Sequence, residues 1–331
     1  MKRETGYLLA LLALGVVQAV QAVDAPAKNV AAATNKNVEV YAIEPTLKDV
    51  AYGKHPKQVL HFWKAVSDKP TPLLFFIHGG GWTSGNRSSG LAPLLPAMLK
   101  AGISVVSVEY RFTPEATKDG VVPPVKGPLM DAARALQFVR SKAAEWNIDK
   151  ARIGASGGSA GACTSLWLAF HDDLADPQSA DPVARESTRL WCAAVSAPQT
   201  TLDPKQMREW TPNSKYGGHA FGFSANKQKK LTAFDDFLAN REKILPWIAE
   251  YSPYALVTKD DPPVAMFFGS APAIGQEQKD PTHTANFGLK LQEHCKEFGV
   301  PCEFVYPGAP DVKHPTALAY LLDMLKAPTA K

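Results

Sequence analysis

Apolar runs of strand length alternate with helical segments along most of the chain. The strand-length runs are VLHFW, LLFFIHG, ISVVSVEY, RIGAS, LWCAAVS, PPVAMFFGS and CEFVYPG. The helical segments include LMDAARALQFVRSKAAEW, TSLWLAF, NFGLKLQEHCKEFG and TALAYLLDMLK. Buried strands that alternate with helices are typical of a parallel sheet with helices on both faces. The pattern predicts one doubly wound α/β domain over residues 38–331, with a mostly parallel sheet.

Residues 204–251 interrupt this alternation. The segment is rich in Trp, Lys, Gly and Phe and fits no strand-helix unit. In a doubly wound sheet, an insertion at this point would lie above the carboxyl ends of the strands, where ligands bind. The sequence therefore leaves two interpretations open, a small cap insertion over the site or an ordinary surface excursion.

The N-terminal sequence MKRETGYLLALLALGVVQAVQA has the layout of a secretory signal peptide. A charged start precedes an apolar run, which is shorter than the roughly 20 residues that a membrane-spanning helix needs. We expect residues 1–22 to be cleaved near Ala22, residues 23–37 to form a flexible leader, and the mature protein to be secreted or periplasmic, without stable membrane insertion.

Composition and charge argue against several classes of function. The formal net charge of +4 comes from 36 basic and 32 acidic residues, without a basic tract, so nucleic acid is not an expected partner. The chain has neither a C-x-x-C nor an H-E-x-x-H motif, and no metal or cofactor is predicted.

Cys295 and Cys302 flank a predicted helix-to-strand turn, where they either form a disulfide or remain free thiols.

The segment ARIGASGGSAGAC holds two serines, Ser156 and Ser159, each in a G-x-S-x-G pattern. This spacing is typical of a sharp strand-to-helix turn that exposes a nucleophilic serine. With Ser159 at the turn, residues 152–156 form a strand of normal length and the helix begins at Ala160. With Ser156 there, the helix would begin with two glycines, which are poor helix formers. We therefore expect Ser159 to be the nucleophile.

A second motif, LLFFIHGGGW, carries a buried strand directly into His78 and three glycines. Glycines at such a place leave backbone N–H groups that can approach a substrate closely, as an oxyanion hole requires.

The motifs HGGGW, EYRFTPE and GGSAG, in this order, resemble the hormone-sensitive-lipase-like branch of the α/β-hydrolase esterases over roughly residues 45–328. The resemblance implies an α/β-hydrolase fold, a structural role for His78, and an oxyanion hole made by the N–H groups of Gly80, Gly81 and Ala160. One departure is Ala162, where that branch usually has glycine.

The base should be a histidine on the loop after the last strand. Only His314 follows CEFVYPG, so it is the predicted base, although the family usually has glycine where Pro315 follows it. The acid should follow PPVAMFFGS. The family's usual aspartate is absent there, and Asp280 and Glu277 are the carboxylates within reach. Asp280, which precedes a proline and the next helix, is preferred over Glu277.

These residues predict a serine carboxylic-ester hydrolase that needs no cofactor. Export and the lack of an extended hydrophobic lid favour short acyl esters, with acetyl or feruloyl groups on polysaccharide as the suggested substrates. Two alternatives remain open, a serine peptidase of the same fold and a non-catalytic binding protein that keeps the fold.

Overall fold

The computed structural model describes residues 43–225, 228 and 230–326. The predicted signal peptide and leader, residues 1–22 and 23–37, lie outside these residues. Within the described part of the chain, no helix has the length and apolar character needed to cross a membrane.

A single eight-stranded sheet runs through the domain, in the spatial order β1-β2-β4-β3-β5-β6-β7-β8. The strands are β1 Leu47–Ala51, β2 Val59–Trp63, β3 Thr71–Ile77, β4 Ser104–Val108, β5 Ile148–Gly158, β6 Cys192–Ser196, β7 Val264–Phe267 and β8 Cys302–Val305. Strand β2 pairs antiparallel with both β1 and β4, whereas every pair from β4 to β8 is parallel. The predicted, mostly parallel sheet is confirmed.

Helices follow most strands, as the alternating pattern predicts. They are α1 Leu95–Lys100, α2 Thr113–Lys118, α3 Lys126–Ser141, α4 Ala143–Trp146, α5 Ala160–Phe170, α6 Pro204–Trp210, α7 Ala233–Ala239, α8 Leu245–Tyr251, α9 Pro253–Leu256, α10 Asn286–Phe298 and α11 Ala317–Lys326. Short 3-10 turns occupy Gly218–Phe221 and Arg241–Ile244.

Strand β3 shows why both faces of the sheet are covered. All seven of its residues are buried, and successive side chains point to opposite faces. Leu73, Phe75 and Ile77 join a core cluster that includes residues of α3, α5 and α10. Leu74 and Phe76 join a second cluster that includes residues of α1 and α11. A continuous apolar run is what a strand buried on both faces requires.

The strand order reverses between β3 and β5, which places the loops after these two strands side by side. The chain passes from β3 outward to β4 and then returns to form β5 on the other side of β3, where Ile77 pairs with Gly157. Crevices at such a switch point are the usual ligand sites of doubly wound sheets. Both sequence motifs, HGGGW and GGSAG, end at this crevice.

The interrupting segment, residues 204–251, is mainly helical and consists of α6, the two 3-10 turns, α7 and α8. Its first 3-10 turn contacts the sheet's carboxyl edge, since His219 lies against Gly81. The same turn accepts a 2.9 Å hydrogen bond at the carbonyl of Ala220 from the N–H of Val125, just before α3. The segment therefore packs against the glycine loop rather than projecting away from it.

Candidate active site

Ser159 occupies the sharp turn between β5 and α5. Its backbone φ of +53° is in the left-handed region, and α5 begins at the next residue, Ala160. The turn leaves no room for side chains at the flanking glycines. A Cβ on Gly161 would collide with the carbonyl of Ile77, and one on Gly157 would lie 2.7 Å from the carbonyl carbon of Gly161. This tightness holds the serine hydroxyl out of the strand.

Ser156 lies within β5 and not at the turn. Its hydroxyl donates a 2.7 Å hydrogen bond to the carbonyl of Ala194 on the neighbouring strand β6, and the residue is buried. Strand β5 extends to Gly158 because Gly157 and Gly158 pair with Val195 and Ser196. Ser156 is therefore part of the sheet, and Ser159, which is half-buried and lines the cavity, is the serine at the turn.

A hydrogen-bonded chain runs from Ser159 through His283 to Asp280. The Ser159 hydroxyl lies 2.9 Å from Nε2 of His283, and Nδ1 of the same ring lies 2.8 Å from Oδ2 of Asp280. A carboxylate accepts, so Nδ1 carries the proton and Nε2 is left to accept from the serine hydroxyl. This is the arrangement that activates a serine nucleophile.

Asp280 and His283 share one turn of the loop that follows β7. The other carboxylate oxygen of Asp280 accepts hydrogen bonds from the backbone N–H groups of Thr282, at 3.1 Å, and His283, at 3.3 Å. Partial burial raises the pKa of Asp280, but the hydrogen bonds from His283 and the two N–H groups outweigh it, and the net pKa is lowered. Asp280 is therefore ionised at neutral pH, as an orienting carboxylate must be.

The structure does not bring His314 to Ser159, and the prediction of its role as base is wrong on this geometry. Nδ1 of His314 lies 2.8 Å from Glu303 and Nε2 lies 3.0 Å from Asp323, so both ring nitrogens are occupied by carboxylates. The ring is buried between β8 and α11. His314 joins these two elements, and another histidine occupies the place beside the nucleophile.

His283 was not predicted from the sequence, because the base was expected only after the last strand. The residue lies in the same D-P-T-H stretch as the predicted acid, Asp280. That spacing was the available signal, since an aspartate and a histidine three residues apart can meet within one turn. Glu277, the alternative acid, is exposed, and it is Asp280 that bonds His283.

Three buried or half-buried amides fix the loop that carries Asp280 and His283. Gln199, after β6, donates a 2.7 Å hydrogen bond to the carbonyl of Thr282. Asn213, within the segment 204–251, exchanges hydrogen bonds of 2.8 and 3.0 Å with the backbone of Gln278.

The third amide is that of Asn286, at the start of α10. It accepts a hydrogen bond from the N–H of Ala273 at 2.7 Å and donates one to the carbonyl of Trp210 at 2.8 Å. The loop is thus tied to both neighbouring segments.

In the glycine loop after β3, the carbonyl groups accept hydrogen bonds from neighbouring residues, whereas several N–H groups donate none to the residues that the structure describes. The carbonyl of Gly79 lies 2.7 Å from Nδ1 of His78, and that of Gly80 accepts from the N–H groups of Thr83 and Ser84 at 3.0 and 3.1 Å. Among the described residues, none accepts a hydrogen bond from the N–H of Gly80, Gly81 or Ala160. These three N–H groups are therefore available to an oxyanion beside Ser159.

His78 supports this loop from beneath. It is fully buried, stacks on Tyr110 with ring centroids 4.2 Å apart, and its Nε2 lies 3.3 Å from the carboxylate of Glu109. Burial raises the pKa of Glu109, but the hydrogen bond from His78 and the charges of His78, Lys57 and Arg87 outweigh it, so that the net pKa is lowered. Among the described residues the His78 ring bonds Gly79, Glu109 and Tyr110, and not Ser159, so it supports the loop rather than the nucleophile.

A cavity of about 700 Å³ opens beside Ser159 and His283. Its walls are mainly apolar and come from the end of β3, the segment 85–94 and the start of α11, with Phe76, Leu94 and Ala317 among them. Gly79 and Gly80 also line it. The nucleophile, the base and the glycine loop therefore face one apolar space that can hold an uncharged group of moderate size.

The described residues contain no group of three or more His, Cys, Asp or Glu side chains that could hold a metal ion. The four cysteines, Cys163, Cys192, Cys295 and Cys302, are free thiols.

The chain resembles known esterases in sequence. Residues 62–280 match the model of the BD-FAE family. A probable carboxylic ester hydrolase of Mycobacterium tuberculosis, LipM, is 30% identical over 149 residues, which cover 44% of this chain and 32% of that protein. The matched region thus spans about a third of the length of this curated relative.

Solved structures show the same fold. An acetyl ester-xyloside bifunctional hydrolase from Caldicellulosiruptor lactoaceticus is 26% identical, with a TM-score of 0.54, and the match covers 75% of this chain and 77% of that one. Est2, a thermophilic esterase from Thermogutta terrifontis, is 23% identical, with a TM-score of 0.56 and coverages of 83% and 88%. The predicted α/β-hydrolase fold is confirmed.

Proposed function

We propose that this chain, which belongs to the BD-FAE family, is a serine hydrolase of carboxylic esters. The observation that carries the proposal is the series of hydrogen bonds from Ser159 through His283 to Asp280, together with three N–H groups that have no acceptor within the described part of the chain. An ester hydrolase needs this set of parts and no further cofactor.

In the acylation step, the Ser159 oxygen attacks the ester carbonyl while Nε2 of His283 takes the hydroxyl proton. The N–H groups of Gly80, Gly81 and Ala160 stabilise the negative charge on the carbonyl oxygen. Asp280 holds His283 in the required tautomer and stabilises the imidazolium. The ring then returns the proton to the alkoxide as the C–O bond breaks, leaving an acyl-serine and a free alcohol.

Water completes the cycle by the same route. His283 takes a proton from a water molecule as its oxygen attacks the acyl-serine, and the second oxyanion occupies the same N–H groups. Collapse of this intermediate returns the proton to the Ser159 oxygen and releases the carboxylic acid. Each proton that His283 accepts is given back within the same half-reaction.

The proposed substrates are short acyl esters, with acetyl or feruloyl groups on polysaccharide as the specific suggestion. The apolar cavity suits an uncharged acyl group, and the relative from C. lactoaceticus is described as an acetyl ester-xyloside hydrolase. Secretion or periplasmic export, proposed from the N-terminal pattern, would give the protein access to such polymers.

The test compares hydrolysis of p-nitrophenyl acetate by the wild type, Ser159→Ala and Ser156→Ala. We expect activity in the wild type, a loss of at least about 10³-fold in Ser159→Ala, and retained activity in folded Ser156→Ala. A matched amide, p-nitroacetanilide, separates an esterase from a peptidase. An inactive wild type that also resists labelling by a fluorophosphonate would favour a non-catalytic binding protein.

A further inference from the structure

The segment 204–251 reaches the glycine loop through His219. This residue lies on the 3-10 turn Gly218–Phe221, and its Nε2 is 2.8 Å from the carbonyl oxygen of Gly81. A carbonyl can only accept, so Nε2 carries a proton and donates it. A side chain of the inserted segment thus holds the residue that follows Gly80, which lines the cavity.

The glycine loop needs such support because its backbone is unusual. Three consecutive residues have positive φ, with +104° at Gly80, +63° at Gly81 and +56° at Trp82. Positive φ is unfavourable for a side chain as large as tryptophan. The carbonyls of Gly79 and Gly80 are held by neighbours within the loop or beneath it. The carbonyl of Gly81 accepts only from His219 among the described residues.

The surroundings of His219 keep its imidazole ring neutral and fixed in place as a hydrogen-bond donor. Burial lowers its pKa more than the Gly81 carbonyl raises it, so the ring is neutral at pH 7. It packs edge-on against Tyr216, with ring centroids 5.0 Å apart. The Tyr216 hydroxyl would lie 3.2 Å from a Cβ on Gly81. Both side chains therefore restrict the space in which Gly81 can move.

We propose that His219 is a positioning residue of the oxyanion hole. By holding the carbonyl of Gly81, it fixes the peptide plane that follows this residue, while the hydrogen bonds to the carbonyl of Gly80 fix the preceding plane, which carries the Gly81 N–H. With both planes held, rotation about the backbone of Gly81 is restricted. The inference rests on the proposed ester hydrolysis, in which that N–H receives the developing negative charge. His219 is not among the described residues that line the cavity, so it acts through Gly81 and not on the substrate.

The proposal predicts a specific kinetic signature. A donor aimed at the oxyanion stabilises the transition state more than the bound ester, so its misplacement lowers kcat and leaves KM nearly unchanged. Removal of a complete oxyanion-hole donor costs about 10²–10³-fold in kcat. Loss of a side chain that only positions such a donor should lower kcat less, by about 10–100-fold.

The experiment uses His219→Leu, which fills the space without a donor, and His219→Gln, whose side-chain amide can still donate. His171→Gln is the matched control, because His171 is bonded to Asp172 and Glu250 at the far end of α5. We measure kcat and KM for p-nitrophenyl acetate per active site, counted by complete labelling with a fluorophosphonate, so that misfolded protein does not contribute.

We expect kcat to fall about 10–100-fold in His219→Leu, with KM within threefold of the wild type, and to recover to within about threefold in His219→Gln. An unchanged kcat in His219→Leu, or equal losses in both variants, would overturn the positioning role while leaving the esterase assignment intact. A wild type without ester hydrolysis would overturn the proposed function, and this inference with it.

Discussion

At the scale of single residues, backbone conformation decides which chemistry a side chain can perform. Ser156 and Ser159 share the same local motif, but only Ser159 has a positive φ and lies outside the strand pairing. Similarly, His283 and His314 are both bonded to carboxylates, but only His283 leaves one ring nitrogen for a serine hydroxyl. Residue type alone did not distinguish the members of either pair.

Gly81 offers a direct test of the oxyanion hole. In Gly81→Ala, the new Cβ would lie 3.2 Å from the Tyr216 hydroxyl, so Tyr216 or the loop must give by a few tenths of an ångström, and the φ of +63° strains the backbone of an alanine. We expect kcat/KM for p-nitrophenyl acetate to fall about 10²-fold, as for loss of one oxyanion donor.

Gly120→Ala is the control for backbone strain. Gly120 has a similar φ of +74°, but nothing lies within 4 Å of a Cβ there. Both variants should lose about 1–2 kcal/mol of unfolding free energy, the cost of a left-handed conformation for alanine. Equal activity in the two variants would show that the Gly81 N–H is not part of the machinery.

At the scale of elements, the site is built from loops at the carboxyl edge of the sheet, each held by a different neighbour. The glycine loop after β3 rests on His78 and Glu109, and the nucleophile turn rests on the close contact of Gly161 with Ile77. The loop after β7 supplies both the acid and the base. Its amide anchors come from the segment after β6, from residues 204–251 and from the start of α10.

Glu109 gives this support a measurable pH dependence. The carboxylate contacts His78, Lys57 and Arg87, and its pKa in the folded protein is lowered. A lowered folded-state pKa stabilises the protein above the unfolded pKa, and this stabilisation is lost as the pH falls through the folded value. Glu109→Gln should therefore lower the unfolding free energy at pH 7, by about 1–3 kcal/mol.

The measurement is urea unfolding of the wild type and Glu109→Gln between pH 7 and pH 3. We expect the difference between them to be constant above about pH 5 and to shrink at lower pH, where Glu109 of the wild type becomes protonated. Glu145→Gln, at an exposed carboxylate paired with Lys142, should change stability little. A difference for Glu109→Gln that grows as the pH falls would contradict the lowered pKa.

The sequence was sufficient for the elements that local patterns determine. The apolar runs predicted the central strands, and the two glycine motifs located the nucleophile turn and the loop beside it. The base required information that no local pattern holds, namely which of several loops reaches Ser159. The choice of His314 relied on the usual order of residues in such enzymes, and the D-P-T-H turn after β7 departs from that order.

At the scale of the whole molecule, the position of the base affects the rest of the site. Because the loop after β7 supplies the base His283, the loop between β8 and α11 does not have to carry a catalytic histidine. Ala317, at the start of α11, instead lines the apolar cavity. His314 instead joins Glu303 on β8 to Asp323 on α11. One turn after β7 therefore supplies both Asp280 and His283 to Ser159.

The most direct test compares ester hydrolysis by His283→Gln and His314→Gln, with kcat/KM for p-nitrophenyl acetate measured beside the unfolding free energy. We expect a loss of at least about 10³-fold in His283→Gln, with little change in stability because the ring is partly exposed. We expect retained activity in folded His314→Gln, with stability reduced by about 1–3 kcal/mol. Full activity in His283→Gln, together with an inactive but folded His314→Gln, would show that His314 and not His283 is the base.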